Sequence, residues 1–227
     1  GVLEVETSAL SRFGSTDVYL NSIDASLGSV TGRGKFHLQT SPELQMKRLL
    51  AMGIGSIYQI CKAYRDDPVT SVHNPEFTIV EWYRPSFSME KLMNEVEEYI
   101  QNVVGCGAIL RYSYREVFEG KIGLNPHKCS LDEIKKAAYT HLDIGSKGLR
   151  FVEYLDLIMT EVIQPSLPKF CFLYDYPQSQ AAMAAIEFDD YGNQIAKRFE
   201  LYCQGREIAN GYFELTDPIE QLKRLKS

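Results

Sequence analysis

The sequence has no apolar run approaching the ~20 residues a membrane-spanning helix requires. It also has no run of lysine and arginine. Its 24 basic residues stand against 30 acidic ones, for a net charge of −6, so it offers no basic stripe for broad nucleic-acid binding. The five cysteines, Cys61, Cys106, Cys129, Cys171 and Cys203, are scattered, with no C-x-x-C and no grouping with histidine. That spacing excludes the usual zinc sites and a disulfide scaffold, and it suits a reducing, cytoplasmic setting. No signal-peptide pattern is present. The chain opens at Gly1 rather than methionine and stops inside a helical pattern at Lys226-Ser227, so it reads as part of a longer protein.

What the chain does have is a long period-two pattern. Its 227 residues, 44% hydrophobic and 24% charged, are enough to bury a sizeable core as one domain. The stretch from Ile57 to Pro85 reads as two strands joined by a polar loop. From Ile57 to Arg65, Tyr58, Ile60 and Tyr64 alternate with Gln59, Cys61 and Arg65. From Glu76 to Arg84, Phe77, Ile79, Glu81 and Tyr83 alternate with Thr78, Val80 and Trp82. Such alternation, rich in aromatic and β-branched residues, is the strand signal. Asp66, Asp67, Pro68, His73, Asn74 and Pro75 form the loop. Glu81 therefore stands in an aromatic and aliphatic row, which is costly for a carboxylate without a partner. The residues leave two readings open. One is a Glu81–Arg65 pair inside a sheet. The other is a site, with Arg65 for a phosphate, Glu81 for a substrate cation and Phe77 as a flat surface for a base.

Upstream, Gly1 to Thr7 reads as a strand, Val18 to Leu20 as a short strand in a loop-rich stretch, and Lys35 to Gln39 as another strand. Thr40-Ser41-Pro42-Glu43 then starts a helix: Ser41 can cap it, Pro42 fits the first turn and Glu43 favours the positive end. The helix runs from Leu44 to Met52 and closes at Gly53. Downstream, Ser88 to Val104 reads as a helix ended by Gly105. Residues 111 to 164 are mainly helical, with a Ser130–Glu133 capping box and an amphipathic helix from Leu149 to Ile163 stopped by Pro165. His127 and His141 read as surface or packing residues. Phe170 to Tyr174 reads as a buried strand.

A second hairpin pattern follows, Phe199 to Cys203 and Arg206 to Ala209 around Gln204-Gly205, with Asn210-Gly211 read as a bend beyond it. Glu200 and Glu207 lie near the turn on opposite arms. Two readings stay open here as well. The pair can share a cation, since Mg²⁺ is usually held by one or two carboxylates plus substrate phosphates. Alternatively, both are exposed and pair with Lys197 and Arg206.

Arg65, His73-Asn74-Pro75-Glu76-Phe77-Thr78, Glu81 and Tyr83, in that order, resemble motif 2 of the class II lysyl-tRNA synthetase group. The run Glu81-Trp82-Tyr83-Arg84-Pro85 is most similar to one branch, the synthetase-like lysyltransferases that modify elongation factor P. Glu207, Asn210, Gly211, Glu214 and Leu215 resemble the lysine- and metal-binding strand of the same group, and Asp175 to Gln180 resembles its Tyr-Pro…Ser-Gln turn. The resemblance implies an α+β fold, a class II synthetase-like antiparallel sheet flanked by helices, and a homodimer. It implies ATP- and Mg²⁺-dependent activation of lysine or (R)-β-lysine as an acyl-adenylate, then transfer to a lysine side chain of elongation factor P. Neither tRNA nor a membrane is an expected partner.

By the same resemblance Arg65 is the catalytic cation at the α-phosphate. Arg65, Asp66, Asp67, His73, Asn74, Phe77, Glu207 and Ile208 bind ATP, and Glu200 and Glu207 hold the metal. Ser41, Pro42, Glu43, Glu81, Tyr83, Asn210 and Glu214 bind the amino-acid substrate, with Glu214 and Tyr83 reading the distal ammonium. The chain departs from the family pattern at Ser8, where a proline is usual, and at Asp66-Asp67-Pro68, which replaces a longer Asn-Glu. The helix of motif 1 and the glycine-rich Asp-Arg segment of motif 3 are absent from it. Two further readings therefore stand beside the first: the core of a lysyl-tRNA synthetase, and a non-catalytic synthetase-like binding protein.

Overall fold

The two alternating segments pair with each other as their pattern demands. In the computed structural model, which describes residues 1–15, 20–26, 34–70, 73–143, 145 and 148–224, the chain divides into two compact units, Gly1–Ser86 and Phe87–Ser227.

The first unit is built on a three-stranded sheet and a smaller one. Its early strands are β1 (Leu3–Glu4), β2 (Leu10–Ser11), β3 (Asp24–Ser26) and β4 (Lys35–Leu38). Helix α1 (Glu43–Ala51) follows, then β5 (Ile57–Tyr64) and β6 (Glu76–Tyr83). The order β1-β5-β6 has β1 parallel to β5 and β5 antiparallel to β6, with Gln59 opposite Glu81 and Ala63 opposite Phe77. The second sheet, β2-β4-β3, is antiparallel.

The first strand is shorter than the alternation from Gly1 to Thr7 suggests. Leu3 donates to Ser56, just before β5, and Val5 to Tyr58 within it, and the ladder ends there. Most of the short strand expected at Val18 to Leu20 lies outside the described residues. Alternation defines two faces of β5 without saying which is covered. The covered one carries Ile57, Gln59 and Ala63, while Ile60 on the more apolar-looking row is 58% exposed.

In the second unit a sheet is packed with helices. Helix α2 (Met89–Val104) is capped by the Ser88 hydroxyl and closed by Gly105 in the left-handed conformation, a backbone state that glycine enters without strain. Strand β7 (Leu110–Ser113) leads into α3 (Tyr114–Ile122) and α4 (Leu131–His141). Both helices open with capping boxes, Ser113–Glu116 and Ser130–Glu133. Helix α5 (Phe151–Ile158) is followed by a π-helical turn, Met159–Ile163, and a short 3₁₀ turn, Gln164–Ser166. The single helix expected over Leu149 to Ile163 is thus shorter and widens before Pro165, whose ring nitrogen has no proton to continue the ladder.

Strand β8 (Phe170–Pro177), a 3₁₀ turn (Gln178–Gln180), β9 (Ile186–Phe188), β10 (Gln194–Cys203), β11 (Arg206–Tyr212) and α6 (Pro218–Arg224) complete the unit. The sheet order is β11-β10-β8-β7, antiparallel except for the β7–β8 pair, and β9 joins the start of β10. Tyr114, Phe118, Ile134, Tyr154, Leu155 and Ile158 from the helices pack with Cys171, Leu173, Tyr176 and Tyr202 from the sheet. Burial on this scale contributes roughly 1.5–3 kcal/mol per large side chain.

The expected bend at Asn210-Gly211 is not there, because both residues belong to β11. Gly211 is required for a different reason. A Cβ at that position would come within 2.4 Å of the Phe199 ring on β10, so the aromatic ring occupies the space a side chain would need.

The outcome is the expected α+β architecture with largely antiparallel sheets and flanking helices. All five cysteines are free, and among the described residues no helix is long and apolar enough to cross a membrane.

Candidate active site

The polar row on the covered face of the first unit organises a cluster around Glu81. Ser41 Oγ donates to Glu81 Oε2 at 2.8 Å, and the Tyr83 hydroxyl donates to Oε1 at 2.6 Å. Tyr83 lies two residues further along β6, so the strand period puts both side chains on one face. Ser41 Oγ also accepts the Glu43 N–H at 3.0 Å, at the entry to α1. The hydroxyl therefore joins the helix start to the carboxylate. Glu43 itself pairs with Lys47 at 2.6 Å, one helical turn on. Burial pushes the Glu81 pKa above the ordinary carboxylate value, against the Tyr83 and Ser41 hydrogen bonds that favour the ionised form.

Arg65 follows β5 directly, and its N–H donates to Pro75 O across the loop. Its guanidinium stands 5.0 Å from the centre of the Phe77 ring, a cation–π arrangement. The sheet pair of Glu81 with Arg65 that the residues alone allowed is therefore not formed. Glu81 is held by hydroxyls and Arg65 by an aromatic face, and Arg65 Nε is buried without a hydrogen-bond partner.

Among the other expected nucleotide residues, Asp66 donates its N–H to Asn21 O, His73 is tied to Thr70 through Nδ1 and its backbone N–H, and Asn74 is exposed at the entry to β6. Asp67 is half-buried in the same loop, and Pro42 is buried at the start of α1.

The second unit carries its own polar cluster on β10 and β11. Glu200 is 5% exposed. Its Oε2 accepts from the hydroxyls of Tyr176 (2.7 Å) and Tyr202, and its Oε1 pairs with Arg198. The Arg198 guanidinium also donates to Gln180 O at 3.0 Å and lies 4.6 Å from the centre of the Tyr176 ring. Burial acts to lower the Arg198 pKa, but Glu200 above all, with help from Tyr212, Tyr176 and Glu207, keeps it above the usual guanidinium value. The alternative of two exposed glutamates pairing with Lys197 and Arg206 does not describe Glu200, which is buried and paired with Arg198; Lys197 pairs with Glu187 instead.

Glu207 and Asn210 are three residues apart, a spacing that places side chains on opposite faces of a regular strand. A β-bulge resolves this. Tyr202 is paired with Glu207 and Leu201 with Ala209, so Ile208 is the extra residue. Asn210 Nδ2 then reaches Glu207 Oε1 at 2.9 Å. Asn210 faces Glu200 in the strand register, and Glu214 forms a bridge with Ala184 just beyond β11.

The donors in this cluster are hard carboxylate oxygens, which fit Mg²⁺. Among the described residues no group of three or more His, Cys, Asp or Glu could hold a metal by itself, so such an ion would need the oxygens of a phosphate chain. Glu207 is the exposed carboxylate of the pair, whereas Glu200 is largely satisfied by the protein.

Three residues of the second cluster had no role in the sequence expectation: Arg198, Tyr202 and Tyr176, the last named only as part of a turn. Arg198, Glu200 and Tyr202 alternate along β10, so period two already placed them on one face. Tyr176 could not be assigned because its contact depends on a register irregularity between β8 and β10.

Asp175 is a further outlier. It is a non-glycine residue at φ 56° inside β8, and its Oδ1 is buried without a partner. Burial, partly opposed by Lys197 and reinforced by Asp189, Glu187 and Glu116, raises its pKa to about 6.

Residues 1–227 match the family model described as tRNA synthetases class II (D, K and N). A protein of Mannheimia succiniciproducens is 40% identical over 230 residues, covering all of this chain and 71% of that protein. One from Pasteurella multocida is 41% identical over 231 residues, with 100% and 71% covered, and one from Histophilus somni is 41% identical over 229 residues, with 99% and 70% covered. Each of the three is named elongation factor P–(R)-β-lysine ligase. With motif 2 on β5 and β6, a match along its whole length and relatives at this level of identity, the chain belongs to the class II synthetase family of the D, K and N type, alongside the elongation factor P–(R)-β-lysine ligases.

Proposed function

We propose that this chain carries the catalytic machinery of an ATP-dependent ligase that activates lysine, preferentially (R)-β-lysine, and passes it to a lysine side chain of elongation factor P. The observation that carries the reading is Glu81: a carboxylate in a largely apolar row whose hydrogen bonds come from the neutral hydroxyls of Ser41 and Tyr83, and on which Lys47, paired with Glu43, acts only as a minor electrostatic influence. A substrate ammonium supplies the positive charge. A substrate without it leaves the carboxylate unmatched, at a cost of roughly 1–3 kcal/mol.

The chemistry needs little covalent help from side chains. A carboxylate oxygen of the amino acid attacks the α-phosphorus of ATP, the bond to the bridging oxygen breaks, and pyrophosphate leaves. Arg65 stabilises the charge that builds on the α-phosphate. It is held in place by Phe77 and by the Pro75 carbonyl. The neutral amine of the acceptor lysine then attacks the acyl carbon, and AMP leaves.

In the second unit, Glu207 and the remaining acceptor position of Glu200 would hold Mg²⁺ with the ATP phosphates. When bound, that ion neutralises phosphate charge. Asn210 and Glu214 keep the substrate-binding roles that the family resemblance gives them, as do Glu43, Asp66, Asp67, His73, Asn74 and Ile208 in their own positions. An elongation factor as acceptor supports a cytoplasmic enzyme, and the synthetase family supports a homodimer. The names of the relatives favour elongation factor P over tRNA as the acceptor.

The first step is tested by ATP–pyrophosphate exchange in the full-length protein with lysine, (R)-β-lysine and norleucine, which has no side-chain ammonium. Exchange with either diamine and none with norleucine is expected. Equal exchange with norleucine, which keeps its α-ammonium, would remove recognition of the side-chain ammonium.

A further inference from the structure

The surroundings of Glu200 carry information beyond its place in a metal-binding pair. A carboxylate offers about four acceptor positions. In this structure Tyr176 and Tyr202 fill two of them on Oε2, and Arg198 fills one on Oε1. One position remains, and it lies on Oε1. The two tyrosines therefore decide which oxygen is left open.

Their own placement is firmly set. Tyr176 is 3% exposed and Tyr202 2% exposed. Tyr176 lies with its ring centre 4.8 Å from that of Tyr114, which in turn stacks on Phe118 at 4.8 Å. The Tyr202 hydroxyl also accepts from Gln164 Nε2 at 3.1 Å, beside the 3₁₀ turn that follows α5.

We infer that Tyr176 and Tyr202 are positioning residues: by occupying Oε2 they fix the Glu200 carboxylate with Oε1 as the single oxygen available to the metal–nucleotide substrate. The inference rests on the reading of Glu200 given above. Neither tyrosine was assigned a role by the motif pattern, and neither needs to touch the substrate. Their hydroxyls act through the carboxylate, in the way that outer hydrogen bonds orient metal-binding side chains. Arg198, stacked against the Tyr176 ring, is held by the same arrangement and shares Oε1 with the metal position.

The test removes the hydroxyls and leaves the rings, with Tyr176→Phe and Tyr202→Phe in the full-length protein. Binding of Mn²⁺ in the presence of ATP and the absence of amino acid is followed by electron paramagnetic resonance. Lysine affinity and melting temperature are measured alongside, and Glu200→Gln serves as a reference. Each Tyr→Phe change is expected to weaken Mn²⁺·ATP binding by roughly tenfold, leaving lysine affinity unchanged. If Glu200→Gln weakens Mn²⁺·ATP binding while both tyrosine variants bind it normally and only melt earlier, the hydroxyls serve the fold alone and the inference is wrong. If Glu200→Gln binds Mn²⁺·ATP as well as the parent, the underlying reading of Glu200 fails, and the role of the tyrosines with it.

Discussion

Tyr83 donates its hydroxyl to Glu81 at 2.6 Å from two positions further along the same strand. Because burial already raises the Glu81 pKa, this hydrogen bond helps keep the carboxylate in its charged form. Binding of an ammonium requires that form. The acidic limb of kcat/KM for lysine is therefore expected above the usual carboxylate range, with activity rising as pH rises through it. Tyr83→Phe removes a stabiliser of the anion and should move the limb to still higher pH. A pH–rate profile in which the variant's limb stays in place, or moves down, would contradict this link between the two residues.

The Arg65 guanidinium is the cation assigned to the α-phosphate. Arg65→Ala should reduce pyrophosphate exchange by at least ~100-fold, the scale on which a lost oxyanion-type donor acts, with little change in melting temperature. Near-normal exchange in this variant would dispose of the assignment.

Gly211 and Phe199 make a prediction about stability rather than chemistry. An alanine Cβ at 211 would meet the Phe199 ring at 2.4 Å, and because that ring is buried it has little room to withdraw. Gly211→Ala should cost about 1–3 kcal/mol, read as a lower urea midpoint with an unchanged slope. An unchanged midpoint would mean that the ring moves freely.

Several of these features could be read from the sequence, and others could not. The two strands β5 and β6 and the grouping of Glu81 with Tyr83 follow from period two, the end of α2 from Gly105 and the start of α4 from the Ser130–Glu133 box, while the pairing register of the hairpin is seen only in the folded chain. The role of Gly211 could not follow, because a glycine after asparagine signals a turn in local terms. Only the position of a ring on the neighbouring strand reveals the close approach. The joint placement of Glu207 and Asn210 depends on a bulge at Ile208, and a strand's sequence does not announce its bulges. Motif order located Glu81, Glu200 and Glu207 but not their partners. Ser41 was visible as a helix start, while its bond to Glu81, 40 residues away, is a property of the folded chain.

Asp175 supplies a test of pH-dependent stability. Its pKa is raised to about 6 in the fold, against about 3.9 in an unfolded chain. Between these values the folded state binds the proton more strongly, so stability falls as pH rises from about 4 to 6, and the full penalty stands above that range. Asp175→Asn removes the charge and keeps a residue that tolerates the left-handed backbone at φ 56°. It should raise the melting temperature at pH 7.5, by an amount corresponding to roughly 1–3 kcal/mol, with the gain vanishing near pH 4. A gain of equal size at both pH values would show that charge is not its cause.

The acceptor separates a ligase of elongation factor P from a tRNA synthetase. The most direct measurement incubates the full-length protein with ATP and labelled lysine or (R)-β-lysine, with elongation factor P and lysine tRNA offered together. Label is expected on elongation factor P, more from (R)-β-lysine than from lysine, and none on the tRNA. Label on the tRNA, with elongation factor P left bare, would contradict that expectation and make the chain the core of a lysyl-tRNA synthetase.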